Sequence, residues 1–167
     1  NMHFPDTRLI NTVEYREKLA VEIRRLRPRT IIIPYWEARH PDHFHAGSIA
    51  FDATFLAGLR KLDTDVPPHR PYKLIYSSMY ANVTPSFVVD ISPWFEKRME
   101  SLFCYRSQYG AQETASSLFP DAAEIRERLA AIARFYGNLI GVKYGEPFVV
   151  KETMRVDDVV SMPVRSF

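Results

Sequence analysis

A short run of β-branched residues between two prolines constrains the fold of this chain most strongly. Residues 30–35 read Thr-Ile-Ile-Ile-Pro-Tyr and follow Pro28 almost directly. Such an unbroken apolar run is typical of a strand buried on both faces of a parallel sheet. Upstream, apolar residues recur at helical spacing from Tyr15 to Leu26, and we expect this helix to end before Pro28, because the position before a proline disfavours the α conformation.

The same alternation of helices and strands continues along the chain. Asp42 is predicted to cap the second helix, and residues 144–148 are predicted to form a tight loop. The pattern predicts an α/β fold with a mainly parallel sheet, in which the loops at the carboxyl ends of strands usually carry the site. The further predicted helices are 42–62, 94–108 and 121–136, and the further strands are 73–78 and 86–91.

Composition narrows the class of protein. The 167 residues carry a net charge of only +2, far from the basic field that binding to a phosphate backbone requires, so we expect no nucleic-acid partner. No apolar run approaches the length of a membrane span, and the first residues lack the apolar stretch of a signal peptide. We therefore expect a cytoplasmic protein without membrane association.

Residues 35–45 are the part of the chain richest in reactive side chains. They hold three of the chain's five histidines, together with Glu37 and Asp42. His40 and His43 lie where a loop after a strand becomes a helix, so their rings can meet at one point. Neutral imidazole is a good zinc ligand, and a second imidazole could stabilise an oxyanion, which is an arrangement typical of a hydrolase. The alternative is a capped, solvated turn without a ligand.

Two further sets of residues have both a binding and a structural interpretation. Tyr35, Trp36 and Tyr80 could form a wall against which a sugar ring packs, or they could belong to the core or to an interface. Arg70 could bind carboxylates through its planar guanidinium, or it could be a solvated cation in a loop.

The motifs of the chain, taken in order, resemble a known family. The His40–His43 signature after residues 33–37 resembles the second signature of the PIG-L-type zinc deacetylases, which remove acetyl from N-acetylglucosamine in larger conjugates. The whole set looks like the bacillithiol branch, whose members deacetylate N-acetylglucosaminyl malate. The other matching segments are 57–61, 68–70, 86–92, 105–108 and 140–148.

The resemblance implies a Rossmann-like fold and a role for each residue of the signature. His43 would bind zinc, and His40 would polarise the acetyl carbonyl and stabilise the tetrahedral oxyanion. Asp42 would orient one of these histidines or cap the helix. The rim of the site, which contacts substrate, would contain Glu37 and Arg39. If the substrate is the malate conjugate, the wall that includes Tyr35 could pack on its sugar, and Arg70 could receive its malate carboxylates or remain a solvated cation. Members of the bacillithiol branch are often homohexamers, so the resemblance also implies a homo-oligomer.

One departure from the family pattern changes what this chain can do alone. The family's first strand ends in an Ala-His-Pro-Asp-Asp motif, which supplies two further metal ligands and the general base, and this sequence contains no such motif. We therefore expect residues 1–167 to be the C-terminal portion of a single deacetylase domain that lacks its N-terminal strands. By itself the chain should be inactive, either as a fragment or as a remnant that binds a sugar or forms an oligomer.

Overall fold

A computed structural model describes residues 1–78, 82–109 and 121–164. The chain divides into two compact units, one of residues 1–86 with 148–153 and the other of residues 87–147 with 154–167. Four strands form one mixed sheet in the order β1, β2, β4, β3. The strands are β1 (Thr30–Pro34), β2 (Lys73–Ser77), β3 (Phe87–Asp90) and β4 (Gly145–Val149). The predicted α/β class is confirmed.

The first unit is built on the parallel pair of β1 and β2, with Ile33 opposite Tyr76 and Pro34 opposite Ser77. Its two helices are α1 (Val13–Leu26) and α2 (Pro41–Ala57). The small side chains of Ala20, Ala53 and Ala57 are fully buried in one cluster with Ile23. Because three of these four side chains are methyl groups, the backbones of the two helices can approach closely.

Helix α2 also approaches the end of β1 closely. A Cβ atom on Gly47 would lie 2.8 Å from the carbonyl oxygen of Pro34, a distance that no side chain tolerates without a shift of backbone. Glycine at this position therefore lets the start of α2 lie directly against the carboxyl end of β1. The loop between them, residues 35–40, carries most of the predicted site.

The second unit contains a 3-10 turn (Ser92–Trp94) and the helices α3 (Phe95–Phe103), α4 (Arg106–Tyr109) and α5 (Ala122–Asn138). Phe95 stacks on Tyr144 with ring centroids 4.0 Å apart. Asp121 caps α5 by accepting a hydrogen bond from the Glu124 amide at 2.8 Å, as the spacing of these residues predicts. No helix within the described ranges is long and apolar enough to cross a membrane.

Three predictions about the elements were wrong. Strand β4 occupies the segment predicted to be a tight loop, and its Phe148 and Val149 pair antiparallel with Ser77 and Tyr76. The sheet is consequently mixed, since β1 and β2 pair in parallel and β2 and β4 pair antiparallel. Helix α2 ends at Ala57 instead of residue 62, and the helix predicted over 94–108 is divided between α3 and α4.

Candidate functional site

The loop after β1 is held at its start by the sheet and by aromatic contacts. The amide of Tyr35 donates a hydrogen bond to the carbonyl oxygen of Ser77 at 3.0 Å. Its ring lies 4.0 Å from that of Trp36, which in turn meets the ring of Tyr76 edge-on at 4.8 Å. Partial burial raises the pKa of the Tyr35 phenol, and the negative charge of Glu37 raises it further, so this side chain stays an uncharged donor near neutral pH.

His40 is the residue that caps α2. Its Nδ1 atom accepts a hydrogen bond from the amide of Asp42 at 3.1 Å. An imidazole that accepts through Nδ1 carries its proton on Nε2, so the Nε2–H group of His40 is left as a donor. This assignment of the tautomer follows from the hydrogen bond. The cap thus leaves His40 suited to donate to a carbonyl oxygen rather than to bind a metal.

His43 lies in the first turn of α2, beside His40. The two ring centroids are 5.4 Å apart with the planes inclined at 38°, and both residues are exposed to solvent. The His43 amide donates to the carbonyl oxygen of His40 at 3.1 Å, a main-chain bond that leaves both ring nitrogens of His43 uncommitted to the helix. The structure therefore brings together the two histidines that the sequence singled out.

Asp42 does not cap the helix, contrary to the prediction made for it. Its side chain points to the N-terminal segment, where Oδ2 accepts a hydrogen bond from the amide of Thr7 at 2.6 Å. Because Thr7 has a positive φ of 61°, this bond stabilises a turn that a threonine rarely adopts. His40 caps the helix in its place. The main-chain amide of Asp42, rather than its carboxylate, is what contacts His40.

The remaining predicted site residues fall into two places. Glu37 and Arg39 are exposed in the loop that leads to His40. Arg70 lies at the other end of α2, where its guanidinium is 5.5 Å from the ring centre of Phe55 and closely approaches Gly58. A 17-residue helix is about 25 Å long, so Arg70 is not brought together with the histidine pair. Tyr80 lies outside the described residues.

A metal ion would find only part of a coordination shell here. Among the residues that the structure describes, no three His, Cys, Asp or Glu side chains come together to hold a metal ion. His43 offers a ligand of the type that zinc prefers, and catalytic zinc usually takes three protein ligands. The donor set fits zinc, provided that further ligands come from elsewhere.

A cavity of about 470 Å³ lies beside β1, away from this chemistry. It is lined almost entirely by apolar side chains, and neither His40 nor His43 contributes to it. The sequence analysis missed two contacts near the site, those of Thr7 with Asp42 and of Lys151 with Trp36. Both join residues far apart in the chain, which no local pattern could have indicated.

Comparison with known proteins points to deacetylases. No protein-family model matches the chain. Over 151 residues, which are 87% of the chain, it is 30% identical to a diacetylchitobiose deacetylase of Thermococcus kodakarensis. The chain is thus similar in sequence to a diacetylchitobiose deacetylase. It spans 53% of that relative's length, or about half. The relative is a deacetylase, the class of enzyme that the sequence motifs resemble.

Solved structures agree in fold. A conserved protein of Thermus thermophilus has 36% identity and a TM-score of 0.80, over 92% of this chain and 66% of its own. The N,N'-diacetylchitobiose deacetylase of Pyrococcus horikoshii, complexed with its inhibitor, has 25% identity and a TM-score of 0.70, over 87% of this chain and 54% of its own. GalB, a 4-carboxy-2-hydroxymuconate hydratase of Pseudomonas putida, is 15% identical with a TM-score of 0.71, over 93% of this chain and 65% of its own, which is a likeness of fold alone.

Proposed function

We propose that the full-length protein hydrolyses the N-acetyl group of an amino-sugar conjugate, and that this chain supplies one wall of its active site. The observation that carries the proposal is the exposed pair of imidazoles, His40 and His43, 5.4 Å apart at the start of α2. The homology to diacetylchitobiose deacetylases supports the reaction class. Acetate and a free amine are the products.

The two imidazoles take different roles in this proposal. His43 would hold zinc through a ring nitrogen, and the other protein ligands of the ion would come from residues outside this sequence. Zinc, when bound, supplies a Lewis acid that polarises the acetyl carbonyl. His40 cannot accept at Nδ1 from the Asp42 amide and also offer a lone pair at Nε2 in the same neutral tautomer. Its Nε2–H therefore donates to the carbonyl oxygen.

The start of α2 adds to the stabilisation of negative charge. The free amides of a helix N-terminus carry partial positive charge, and His40 stands at that end. As water adds to the acetyl carbonyl, the oxygen gains charge, and a donor already oriented toward it stabilises the transition state more than the ground state. The proton acceptor for the attacking water is expected outside residues 1–167.

The substrate is proposed from the family resemblance and from the relatives. The bacillithiol-type motifs favour N-acetylglucosaminyl malate, whereas the named relatives favour N,N'-diacetylchitobiose. A partly buried Tyr35 beside Trp36 offers apolar ring faces and a hydroxyl donor to either sugar. We propose the malate conjugate first and another amino sugar second. We also propose a cytoplasmic homo-oligomer, such as a hexamer, with neither nucleic acid nor a membrane as partner.

A second candidate function is a scaffold without catalysis, which binds a sugar or forms an oligomer. The observation in its favour is that the described residues bring no three metal-ligating side chains together. On either proposal, residues 1–167 alone neither retain zinc tightly nor release acetate, because a single imidazole exchanges its metal freely.

The experiment is acetate release by the full-length protein from both substrates, with and without a zinc chelator. We expect the full-length protein to release acetate and the chelator to abolish this release. His43→Ala should lower the rate of release at least a hundredfold, whereas His45→Ala should leave the rate within about twofold of the unchanged protein. His45 is the matched control, since it lies two residues further along α2 against Phe44. If neither substrate releases acetate, the proposed deacetylase activity is contradicted and the non-catalytic scaffold is favoured. Release by residues 1–167 alone would contradict the incomplete site.

A further inference from the structure

Lys151 lies on the faces of three aromatic side chains in the first unit. Its Nζ atom is 4.8 Å from the ring centre of Trp36, 5.1 Å from that of Phe51 and 5.2 Å from that of Tyr76. The three rings come from the loop after β1, from α2 and from β2. An ammonium group is attracted to the electron-rich face of each ring, so Lys151 joins three elements of the unit at one point.

The aromatic group is the main partner of this charge. Across residues 1–78, 82–109 and 121–164, no ion pair with a carboxylate is found for Lys151. Trp36 provides the shortest of the three contacts, and indole is the ring to which a cation binds most strongly. The position of the ammonium group and the position of the Trp36 ring therefore depend on each other.

The backbone just before Lys151 is anchored by the sheet and by hydrogen bonds, while Lys151 itself is exposed. Val149 pairs with Tyr76 in the sheet. The amide of Val150 donates to the hydroxyl of Ser86 at 3.0 Å, and that hydroxyl donates back to the Val150 carbonyl at 3.2 Å. The side chain of Lys151 extends from this anchored strand end to Trp36.

Trp36 stands four residues before His40, in a loop whose ends are both fixed. Tyr35 is bonded to β2 at the start of the loop, and His40 caps α2 at its end. Between them, Glu37 and Arg39 are exposed, whereas the ring of Trp36 packs on Tyr76 and under Lys151.

The structure assigns Lys151 as a positioning residue: through its contact with Trp36, it holds the loop that carries His40 in the position required for the active site. The assignment of a catalytic consequence rests on the proposed function, whereas the contact with Trp36 does not. Lys151 itself touches no reacting atom. Its removal should lower turnover more than substrate affinity, because it acts on the placement of a donor that works in the transition state.

The test uses a Trp94→Phe background, in which Trp36 is the only tryptophan of the chain. Because Trp94 is largely exposed, we expect this background change to cost little stability. Lys151→Met keeps the apolar stem and removes the charge, while Lys151→Arg keeps a cation that stacks on rings. Lys143→Met is the matched control, because Lys143 lies 5.2 Å from the ring centre of Tyr144 in the other unit.

We expect Lys151→Met to shift the fluorescence emission of Trp36 and, in the full-length enzyme, to lower kcat about tenfold with KM within twofold. Lys151→Arg should restore both, and Lys143→Met should change neither. Unchanged emission in Lys151→Met would overturn the contact, whether or not the enzyme is active. A shifted emission with unchanged kcat, or equal losses in the Arg and Met variants, would overturn the positioning role. A full-length protein without deacetylase activity would contradict the proposed function and the catalytic consequence, while the emission shift still decides the contact.

Discussion

The two ends of α2 hold polar side chains in opposite ways. At the start, His40 and His43 are exposed and one ring nitrogen of His40 is bonded to the helix. At the end, Arg24 of α1 is 1% exposed, and its guanidinium donates to the carbonyl oxygens of Ala57, Leu59 and Val66. The positive charge of Arg24 lies at the negative end of the helix dipole of α2, which stabilises it. A polar group satisfied by the main chain is structural, whereas one left to solvent is available to a ligand.

The largest effect that this comparison predicts is on stability, at the buried end. Arg24→Met removes three hydrogen bonds from a buried charge to carbonyl oxygens, although the carbonyls of Ala57 and Leu59 keep main-chain donors in the amides of His69 and Leu62. We expect the free energy of unfolding to fall by about 3–5 kcal/mol, measured by urea denaturation at neutral pH. His43→Ala in the same chain should stay within about 0.5 kcal/mol. An equal loss of unfolding free energy in the two variants would contradict the distinction between a structural and an exposed end of α2.

Substitutions of the exposed histidines should leave the stability of the fold unchanged, whereas a substitution within α2, where the helix packs on β1, should lower it. In Gly47→Ala the new methyl group meets the Pro34 carbonyl, 2.8 Å away, so α2 must move from the end of β1. We expect a loss of about 1–2 kcal/mol in the free energy of unfolding, after the gain from helix propensity.

The matched control for this change is Gly58→Ala. The atoms nearest to its new methyl group belong to the side chain of Arg70, which is exposed and can move into solvent, and Gly58 has an ordinary φ of −83°. The control should cost less than about 0.5 kcal/mol. A Gly47 variant as stable as the Gly58 variant would show that α2 does not need its close approach to β1.

The smallest effect concerns Tyr35. Burial and the charge of Glu37 both raise its pKa, so Glu37→Gln should lower the pKa while leaving it above that of a free tyrosine. The pKa of Tyr35 is higher in the folded state than in the unfolded state. Its contribution to the stability of the fold is therefore complete below the unfolded-state pKa of about 10 and is lost as the pH rises through the folded-state pKa. The pKa of Tyr35 is measured by ultraviolet titration, as the difference between the titration curves with and without the Tyr35→Phe substitution. An unchanged value in Glu37→Gln would remove Glu37 as a cause.

Local patterns predicted much of the helical structure and the first strand. The apolar spacing from Tyr15 to Leu26 and the residues before Pro28 indicated α1, and Asp121 with Glu124 indicated the start of α5; both agree with the structure. These features depend on neighbours within a few residues. The histidine-bearing turn after β1 was located for the same reason, since the strand and the helix that flank it are both local.

Features that depend on distant residues could not be predicted in this way. β4 contains Gly145 and Pro147, which are poor strand formers, and it forms because β2 offers a partner far away in sequence. From the sequence alone, Arg24 is expected at the surface, as arginines usually are. In the structure it is buried, because its guanidinium donates to three carbonyl oxygens from residues 57–66. The choice of His40 over Asp42 as cap follows from the bond of Asp42 to Thr7, 35 residues away.

The most direct test of the account is His40→Asn in the full-length protein, with zinc content and kcat measured together. Asparagine is a strong helix cap, so its side-chain oxygen replaces Nδ1 at the Asp42 amide while the Nε2–H donor is lost. The account predicts one bound zinc as before and a kcat lowered by about a hundredfold to a thousandfold. Loss of zinc, or a kcat near that of the unchanged protein, would contradict the division of roles between His40 and His43.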